Sequence, residues 1–188
     1  MKLMFASDIH GSAYYCRKML EAYEKEQAER LIILGDILYH GPRNDLPKDY
    51  APKEVIAMLN PRKNEIYAVR GNCAAEVDQM GLECPVMADY CALLVDGQAV
   101  YATHGHQYNE NHLPPLKTGD VLIHGHTHVL RAEKREGYVL LNPGSVSIPK
   151  EGNPPTYGIL ENGIFSVKDF EDQVIKKLDL TTIDWRGE

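Results

Sequence analysis

Short apolar runs alternate with longer amphipathic segments over the first seventy residues. Residues 2–6, the run RLIILGD at 30–36 and the run NEIYAVRGN at 64–72 predict buried strands. Residues 14–29 carry apolar side chains near helical spacing, and the segment APKEVIAMLN at 51–60 places Pro52 where the first turn of a second helix accepts it. Strand and helix therefore alternate, which predicts an α/β sheet with helical cover.

The pattern changes after residue 89, where strands follow one another directly. YCALLVDGQAVYATHG at 90–105 is two apolar runs divided by Asp96-Gly97, a strong hairpin signal. The segments 120–126, 129–145 and 162–180 also predict strands, whereas 141–158 is rich in Pro, Gly, Ser and Asn and predicts an irregular loop. We expect an α/β fold with a two-sheet β-sandwich core flanked by helices, formed by residues 1–188 as a single domain.

Polar residues stand where these strands end. His124, His126 and His128 follow one apolar run at alternate positions, and His104 and His106 follow another. Alternate residues of an extended chain face the same side, so each group predicts convergent imidazoles. An isolated histidine of this kind usually bonds to nearby backbone, but a cluster favours a metal site. The segments SDIHG, LGDILYHGP and VRGN add carboxylates and an amide at three further strand ends.

Composition excludes several other classes of protein. The formal net charge is -7, so no nucleic-acid partner is expected. The four cysteines form no C-x-x-C pair, the first residues do not resemble a signal peptide, and no apolar run could span a bilayer. We therefore expect a cytoplasmic protein with no membrane partner.

The series D-x-H, G-D, G-N, H-G-H and G-H-x-H, with each motif at a strand end, resembles the calcineurin-like metallophosphoesterase superfamily. GDILYHGPRN, VRGNC and NPGSVSIPKEGNP resemble its YfcE-type bacterial phosphodiesterases. The resemblance implies two divalent ions bridged by Asp36 and by a hydroxide that attacks the phosphorus. One ion would be held by Asp8, His10, Asp36 and His128, and the other by Asp36, Asn72, His104 and His126. Oxygen and nitrogen ligands suit Mn²⁺, which we expect, with Fe, Zn²⁺ or Ni²⁺ as alternatives.

Other polar residues have less specific roles. His106 would orient His104 or contact substrate, and His124 would pack or support a ligand. His40 and His112 fall in loops, where solvent exposure is the default expectation. Four residues are candidates for contacting phosphate oxygens, although a structural salt bridge is an equal alternative for the arginines: Arg43, Asn44, Arg70 and Lys150.

The chain departs from the family pattern at one place. Many members read G-N-H-D or G-N-H-E after the third strand, where the histidine is a general acid, but this chain has Cys73 and Ala74 there. A thiol at Cys73 is a poor proton donor, and no base is placed to make it a nucleophile. We therefore expect aryl or similarly activated phosphodiesters to react readily and alkyl esters slowly.

The sequence predicts a dinuclear enzyme that hydrolyses a small phosphodiester. The alternative is a non-catalytic scaffold, because the retromer complex reuses this fold for a subunit best known for binding partners. The complete ligand set favours the enzyme, since clustered charges are costly to bury without a function. Phosphomonoester hydrolysis stays open, as does a homo-oligomer formed through exposed strand edges.

Overall fold

The computed structural model describes residues 1–185 of the 188-residue chain, which form eleven strands and three α-helices. The strands are β1 Lys2–Ala6, β2 Arg30–Ile33, β3 Ile66–Ala68, β4 Tyr90–Val95, β5 Gln98–Thr103, β6 Asp120–His124, β7 Arg131–Lys134, β8 Tyr138–Asn142, β9 Thr156–Glu161, β10 Ile164–Asp169 and β11 Val174–Asp179. The helices are α1 Ala13–Glu26, α2 Pro52–Leu59 and α3 Glu76–Gly81, and short 3₁₀ turns lie at Asn60–Arg62 and Leu180–Thr182.

The strands form two mixed sheets. The first has the order β11-β10-β9-β1-β2-β3, and the second has the order β4-β5-β6-β8-β7. β1, β2 and β3 run parallel, as do β5, β6 and β8, so three carboxyl ends stand together in each sheet. Loops after parallel strands meet at one edge, and this edge carries most of the polar motifs.

β1 shows how alternate side chains build the core. Leu3 and Phe5 pack toward the second sheet against residues such as Val121 and Ile123. Met4 and Ala6 pack on the other face, with apolar side chains of α1 and α2. A two-sheet core with helices outside is thus confirmed, since both faces of the first sheet are covered by apolar contacts.

Three details differ from the sequence predictions. α1 ends at Glu26 rather than at residue 29, because Gln27 adopts a left-handed conformation that caps the helix. α3 was not predicted. Residues 156–158 belong to β9 rather than to a loop, because β9 pairs with β1 in the middle of the sheet and Gly158 lies directly beneath the ring of Phe165. None of the helices among residues 1–185 combines the length and apolar character needed to cross a membrane.

Candidate metal centre

The loops after β1, β2 and β3 of the first sheet meet the loops after β5 and β6 of the second. His104 Nε2 lies 2.9 Å from Asn72 Oδ1 and 3.3 Å from Asp36 Oδ2. His10 Nε2 lies 3.3 Å from His128 Nε2. The structure therefore brings together all seven residues that sequence motifs suggested as ligands: Asp8, His10, Asp36, Asn72, His104, His126 and His128.

Five of these residues have left-handed backbone conformations. The φ angle lies between 50° and 63° at Asp8, His10, Asp36, His126 and His128. Only a few per cent of non-glycine residues have positive φ, and such strain concentrates at functional sites. The expectation that alternate residues leave an extended strand on one side is therefore wrong here. The chain turns tightly, and His124 Nε2 lies 3.2 Å from a carboxylate oxygen of Glu110, outside the ligand cluster.

The carboxylate of Asp8 is held so that one oxygen faces inward. Its Oδ2 accepts hydrogen bonds from the Ser7 hydroxyl at 2.6 Å and from the His126 N–H at 3.0 Å. Its Oδ1 is buried, has no hydrogen-bond partner in the described chain, and lies 3.5 Å from His10 Nε2 and 3.3 Å from His128 Nε2. A buried carboxylate oxygen that receives no hydrogen bond is well suited to bind a cation.

Backbone carbonyls orient three of the imidazoles. Nδ1 of His10, His104 and His128 lies within 2.7–2.8 Å of the carbonyl oxygens of Tyr39, Leu34 and Ile148, respectively. Each Nδ1 must donate, so each ring in its neutral form turns an Nε2 lone pair toward the centre. His126 differs, because its Nδ1 faces the centre, 3.2 Å from His104 Nε2. These inward nitrogen atoms suit the coordination of divalent metal ions.

Asp36 lies between two sets of possible ligands. Its Oδ1 accepts a hydrogen bond from the Cys73 N–H at 2.8 Å, and its Oδ2 lies 3.3 Å from His104 Nε2 and 3.9 Å from His10 Nε2. Close packing requires glycine at position 71, since a Cβ there would stand 2.0 Å from Asp36 Oδ1. The Asp36 carboxylate is therefore fixed by backbone on one side and open to imidazoles on the other.

The charges of the site match the needs of a metal. Burial disfavours ionisation of Asp8, but the adjoining imidazoles of His10 and His128 outweigh it and hold the pKa of Asp8 well below its usual value. Burial, together with the charge of His104 in its protonated form, lowers the pKa of His126 to about 4. Burial is outweighed at His10 and His104 by the nearby carboxylates, which raise the pKa of both rings, so these two imidazoles release protons when metal binds. Ionised carboxylates and a neutral imidazole are the forms that bind metal.

A cavity of about 410 Å³ opens beside this cluster. Ligand residues form its floor, and its walls include Gly41, Pro42, Arg43, Asn44, Cys73, Thr127 and Lys150. Arg70 is not among the described residues that line it. The cavity therefore presents hydrogen-bond donors and positive charge around the ligand cluster.

Residues 1–163 match the calcineurin-like phosphoesterase superfamily domain. The chain belongs to this superfamily. Phosphodiesterase YfcE of Escherichia coli strain K12 is 50% identical over 175 residues, covering 93% of this chain and 95% of the relative. The solved structure of the YfcE phosphoesterase from E. coli matches with a TM-score of 0.94 at 48% identity, covering 96% of this chain and 100% of that one. The protein is thus a YfcE-type metallophosphoesterase, an enzyme that uses divalent metal.

More distant relatives share the same fold. Phosphodiesterase MJ0936 of Methanocaldococcus jannaschii is 27% identical over 169 residues, covering 86% of this chain and 93% of the relative. Vps29 of Entamoeba histolytica, solved with Zn²⁺, matches with a TM-score of 0.59 at 19% identity, covering 96% of this chain and 99% of that one. The likeness to Vps29 shows the fold alone.

Cys73 of this metallophosphoesterase stands on the cavity wall but carries no activated thiol. Burial, followed by the negative charge of Asp36, raises the pKa of Cys73 to about 12. Its Sγ nevertheless lies within 4.8 Å of ligand atoms of His10 and Asp36. The neutral thiol is unsuited to nucleophilic attack, in agreement with the sequence analysis.

The remaining histidines lie outside the ligand cluster. The His106 ring centroid is 5.3 Å from that of His104, and its buried Nδ1 has no hydrogen-bond partner in the described chain. Burial and the charge of His104 lower the pKa of His106. His112 is exposed and stacks on Tyr108, whereas His40 is half-buried beside Tyr39 and Tyr50, against the expectation of solvent exposure.

Sequence reasoning missed the residues that support the centre. Ser145 and Ser147 both donate hydrogen bonds to the Asp8 carbonyl oxygen at 3.0 Å. Asn142, at the end of β8, bonds to the turn that holds His126 and His128. The motif NPGSVS at 142–147 was visible, but its polar side chains act on backbone atoms far away in sequence. Their partners could not be found without the fold.

Proposed function

We propose that this metallophosphoesterase hydrolyses small phosphodiesters with two divalent metal ions, and that aryl or similarly activated esters react fastest. Phosphodiesterase activity is supported by membership of the superfamily and by 50% identity to Phosphodiesterase YfcE over nearly the whole chain. The observation that carries the dinuclear proposal is the position of Asp36. Its Oδ2 lies near His104 of one ligand set and near His10 of the other.

The proposed ligand sets share this carboxylate. Asp8, His10, Asp36 and His128 would hold one ion, and Asp36, Asn72, His104 and His126 the other. The first set is supported by ligand atoms of Asp8, His10 and His128, which lie within 4.8 Å of one another, and the group formed by Asp8, Asp36 and His104 links the two sets at the same spacing. When bound, the ions would polarise the phosphoryl oxygens and supply a hydroxide nucleophile at neutral pH. Oxygen and imidazole ligands suit Mn²⁺, with Fe, Zn²⁺ or Ni²⁺ as alternatives.

The cavity walls support a small anionic substrate. Arg43 and Lys150 line the cavity and would neutralise non-bridging phosphate oxygens, together with the Asn44 amide. The volume of about 410 Å³ suits a compact diester. We propose no nucleic-acid partner, since the net charge is -7 and the cavity wall has no Phe, Tyr or Trp among its described residues on which bases could stack.

The leaving-group preference rests on what is missing beside Asn72. Cys73 and Ala74 offer no imidazole to protonate a departing oxygen, and the pKa of the Cys73 thiol is raised to about 12. An aryl oxide leaves without a proton, whereas an alkoxide needs one. His106 is the nearby alternative donor, but it does not line the cavity within the described chain. We therefore propose that His106 supports His104 rather than contacting substrate.

The scaffold alternative draws on the Vps29 likeness, which concerns the fold. A complete set of inward lone pairs around Asp8 and Asp36 favours catalysis, because a scaffold gains nothing from this buried polar cluster.

We also propose that residues 1–188 act as one domain in the cytoplasm. If the protein forms a homo-oligomer, we propose that the edge strand β4, with its exposed Leu94, forms the contact.

The deciding experiment measures hydrolysis of bis-p-nitrophenyl phosphate and p-nitrophenyl phosphate by metal-stripped protein, with and without added Mn²⁺. We expect Mn²⁺-dependent hydrolysis that favours the diester and that is lost in Asp36→Asn. Asp45→Asn is the matched control, since Asp45 is exposed in the loop that follows Asp36. Activity that survives in Asp36→Asn contradicts the dinuclear proposal, and inactivity of metal-loaded wild-type protein favours the scaffold.

A second comparison addresses the leaving group. We would measure single-turnover rates for bis-p-nitrophenyl phosphate and diethyl phosphate in this protein and in a relative that carries a positioned histidine. The ratio of the aryl rate to the alkyl rate should be much larger in this protein. Equal chemical-step rates for the two esters would disprove the aryl preference.

A further inference from the structure

Asn142 makes three hydrogen bonds that fix the orientation of its amide. It is fully buried at the end of β8. Its Oδ1 accepts a hydrogen bond from the Gly144 N–H at 2.9 Å, which places Nδ2 on the opposite side. That Nδ2 donates to the Gly125 carbonyl oxygen at 3.0 Å and to the Thr127 hydroxyl oxygen at 3.1 Å. Asn142 is therefore a donor toward the turn that carries His126 and His128.

The Thr127 hydroxyl receives a second hydrogen bond, from the Val129 N–H at 3.3 Å. A hydroxyl group has two lone pairs and one hydrogen. With both lone pairs occupied, the hydrogen must point to another acceptor. Thr127 is exposed and is one of the residues that line the cavity, between two proposed ligands, and an anionic substrate bound there would offer such an acceptor. Donors to an oxygen also make its own hydrogen a better donor.

We propose that Thr127 is a catalytic residue, whose hydroxyl donates a hydrogen bond to a non-bridging oxygen of the reacting phosphodiester, and that Asn142 is the positioning residue that aims it. This inference rests on the proposed function. The hydroxyl keeps its proton throughout, so its contribution is stabilisation of negative charge on phosphoryl oxygen as the leaving group departs. It is distinct from the general acid that Cys73 and Ala74 fail to supply.

The matched variants are Thr127→Val, which keeps the shape and removes the hydroxyl, and Thr127→Ser, which keeps the hydroxyl. With Mn²⁺ bound, we expect Thr127→Val to lose kcat by roughly tenfold to a hundredfold on aryl methyl phosphates, as for the loss of one hydrogen bond to a charged group. Thr127→Ser should stay within about threefold of wild type, because the donor is retained. Unchanged kcat in Thr127→Val would overturn the proposal.

The dependence of kcat on the leaving group shows whether the Thr127 hydroxyl bonds to a non-bridging oxygen or to the leaving oxygen. A donor to a non-bridging oxygen lowers kcat by a similar factor for every phenol, so the slope of log kcat against phenol pKa should be the same in wild type and Thr127→Val. A defect that grows steeply with phenol pKa assigns the hydroxyl to the leaving oxygen and contradicts the proposal. Loss of Mn²⁺ stoichiometry in Thr127→Val would make the residue structural and also contradicts it.

A binding measurement keeps this test apart from the test of the enzyme itself. Calorimetric titration of inorganic phosphate into the Mn²⁺-loaded protein should give a Kd about tenfold weaker for Thr127→Val than for Thr127→Ser, as expected for one charge-assisted bond. Equal Kd values would contradict the role of Thr127 whether or not the protein hydrolyses diesters. Failure of wild-type hydrolysis would count against the proposed function alone.

Asn142 is tested through the coupling of two substitutions. If Asn142 acts by aiming the hydroxyl, the kcat defect of Asn142→Ala should largely disappear when the background is Thr127→Val. Full additivity of the two defects would contradict the positioning role. Because Asn142 is buried and its loss could prevent folding, the Thr127 variants provide the independent test of the catalytic role.

Discussion

The Nε2 atoms of His10 and His128 face each other at 3.3 Å, and the Nδ1 of each ring is committed to a backbone carbonyl. Two lone pairs at this distance repel unless a cation or an added proton lies between them. Asp8 Oδ1 completes the group from 3.5 Å and 3.3 Å. A cation bound between them would relieve this repulsion and stabilise the folded chain.

Metal should consequently raise thermal stability. At free Mn²⁺ near one hundred times Kd, we expect the Tm of stripped protein to rise by about 5–10 °C. Differential scanning calorimetry measures this shift. His10→Ala should show less than half of the rise, whereas His112→Ala, which removes an exposed histidine, should show all of it. An equal Tm with and without Mn²⁺ would contradict the predicted site.

Gly71→Ala should disable the centre by displacing Asp36. The added Cβ would stand 2.0 Å from Asp36 Oδ1 and 2.3 Å from the Asp36 backbone nitrogen, so the proposed bridging carboxylate must move. A displacement near 1 Å can cost roughly a hundredfold in kcat. The control is Gly81→Ala, where the Cβ meets only the Ile56 side chain, closest at Cδ1. Similar kcat values for both variants would show that Asp36 tolerates the shift.

Arg43→Gln should weaken substrate binding more than it slows chemistry. Arg43 is exposed on the cavity wall and forms no ion pair with a carboxylate in the described part of the chain, so its removal breaks no structural bond. We expect KM for bis-p-nitrophenyl phosphate to rise about tenfold while kcat changes by less than about threefold. Steady-state kinetics measures both, with the exposed Arg131→Gln as the charge-matched control. An unchanged KM would remove Arg43 from the substrate site.

Cys73→Ala should leave catalysis nearly intact. The thiol pKa is raised to about 12, and the contact that matters to Asp36 comes from the Cys73 backbone N–H, which alanine keeps. We expect kcat within about threefold of wild type, since no proton transfer or covalent step is lost. Rates with aryl diesters check this, and a drop of a hundredfold would restore Cys73 as a catalytic candidate.

Glu26→Gln should lower stability at neutral pH and not in acid. Glu26 accepts the Tyr157 hydroxyl at 3.1 Å and pairs with Lys168 and with Lys2, joining α1 to three strands. Burial disfavours its ionisation, but the hydrogen bond and charge of Lys168 outweigh this and lower the pKa of Glu26. Because the pKa of Glu26 is lower in the folded state than in the unfolded state, its ionised form stabilises the fold at pH values above the ordinary carboxyl pKa. This contribution is lost as the pH falls through the folded-state pKa.

We therefore expect Glu26→Gln to reduce the free energy of unfolding by about 1–2 kcal/mol at pH 7, with the deficit shrinking below about pH 4. Urea unfolding across this range measures the difference. Glu21→Gln, on the exposed side of α1, should show neither effect. A deficit that is constant from pH 7 to pH 3 would mean that the charge of Glu26 is not its source.

Most of the strands and the two longer helices could be predicted because their apolar residues follow the period of the element. Leu3 and Phe5 alternate with Met4 and Ala6 across β1, and this periodicity is legible in the sequence. β9 was missed because a segment dense in proline and glycine precedes it, and pairing with β1 overrides that composition. Short α3 has no buried residue to produce a periodic signal.

The residues of the centre could be predicted, but their backbone could not. His126 and His128 stand at alternate positions, which suggests extended chain, yet both have positive φ. The turn is set by long-range partners, since the His126 N–H bonds to Asp8 and the His128 ring bonds to the Ile148 carbonyl. Local sequence holds no information about partners that lie far along the chain.

The loop at 143–150 also dictates when the centre can exist during synthesis. A nascent chain that ends at residue 140 already contains all seven proposed ligands. It lacks Ser145 and Ser147, which hold the Asp8 carbonyl, and the Ile148 carbonyl, which aims His128. It also lacks β9, which flanks β1. We therefore expect metal capture to follow synthesis of this loop and of β9, and a chain terminated at residue 140 to carry the ligand residues without the contacts that position them.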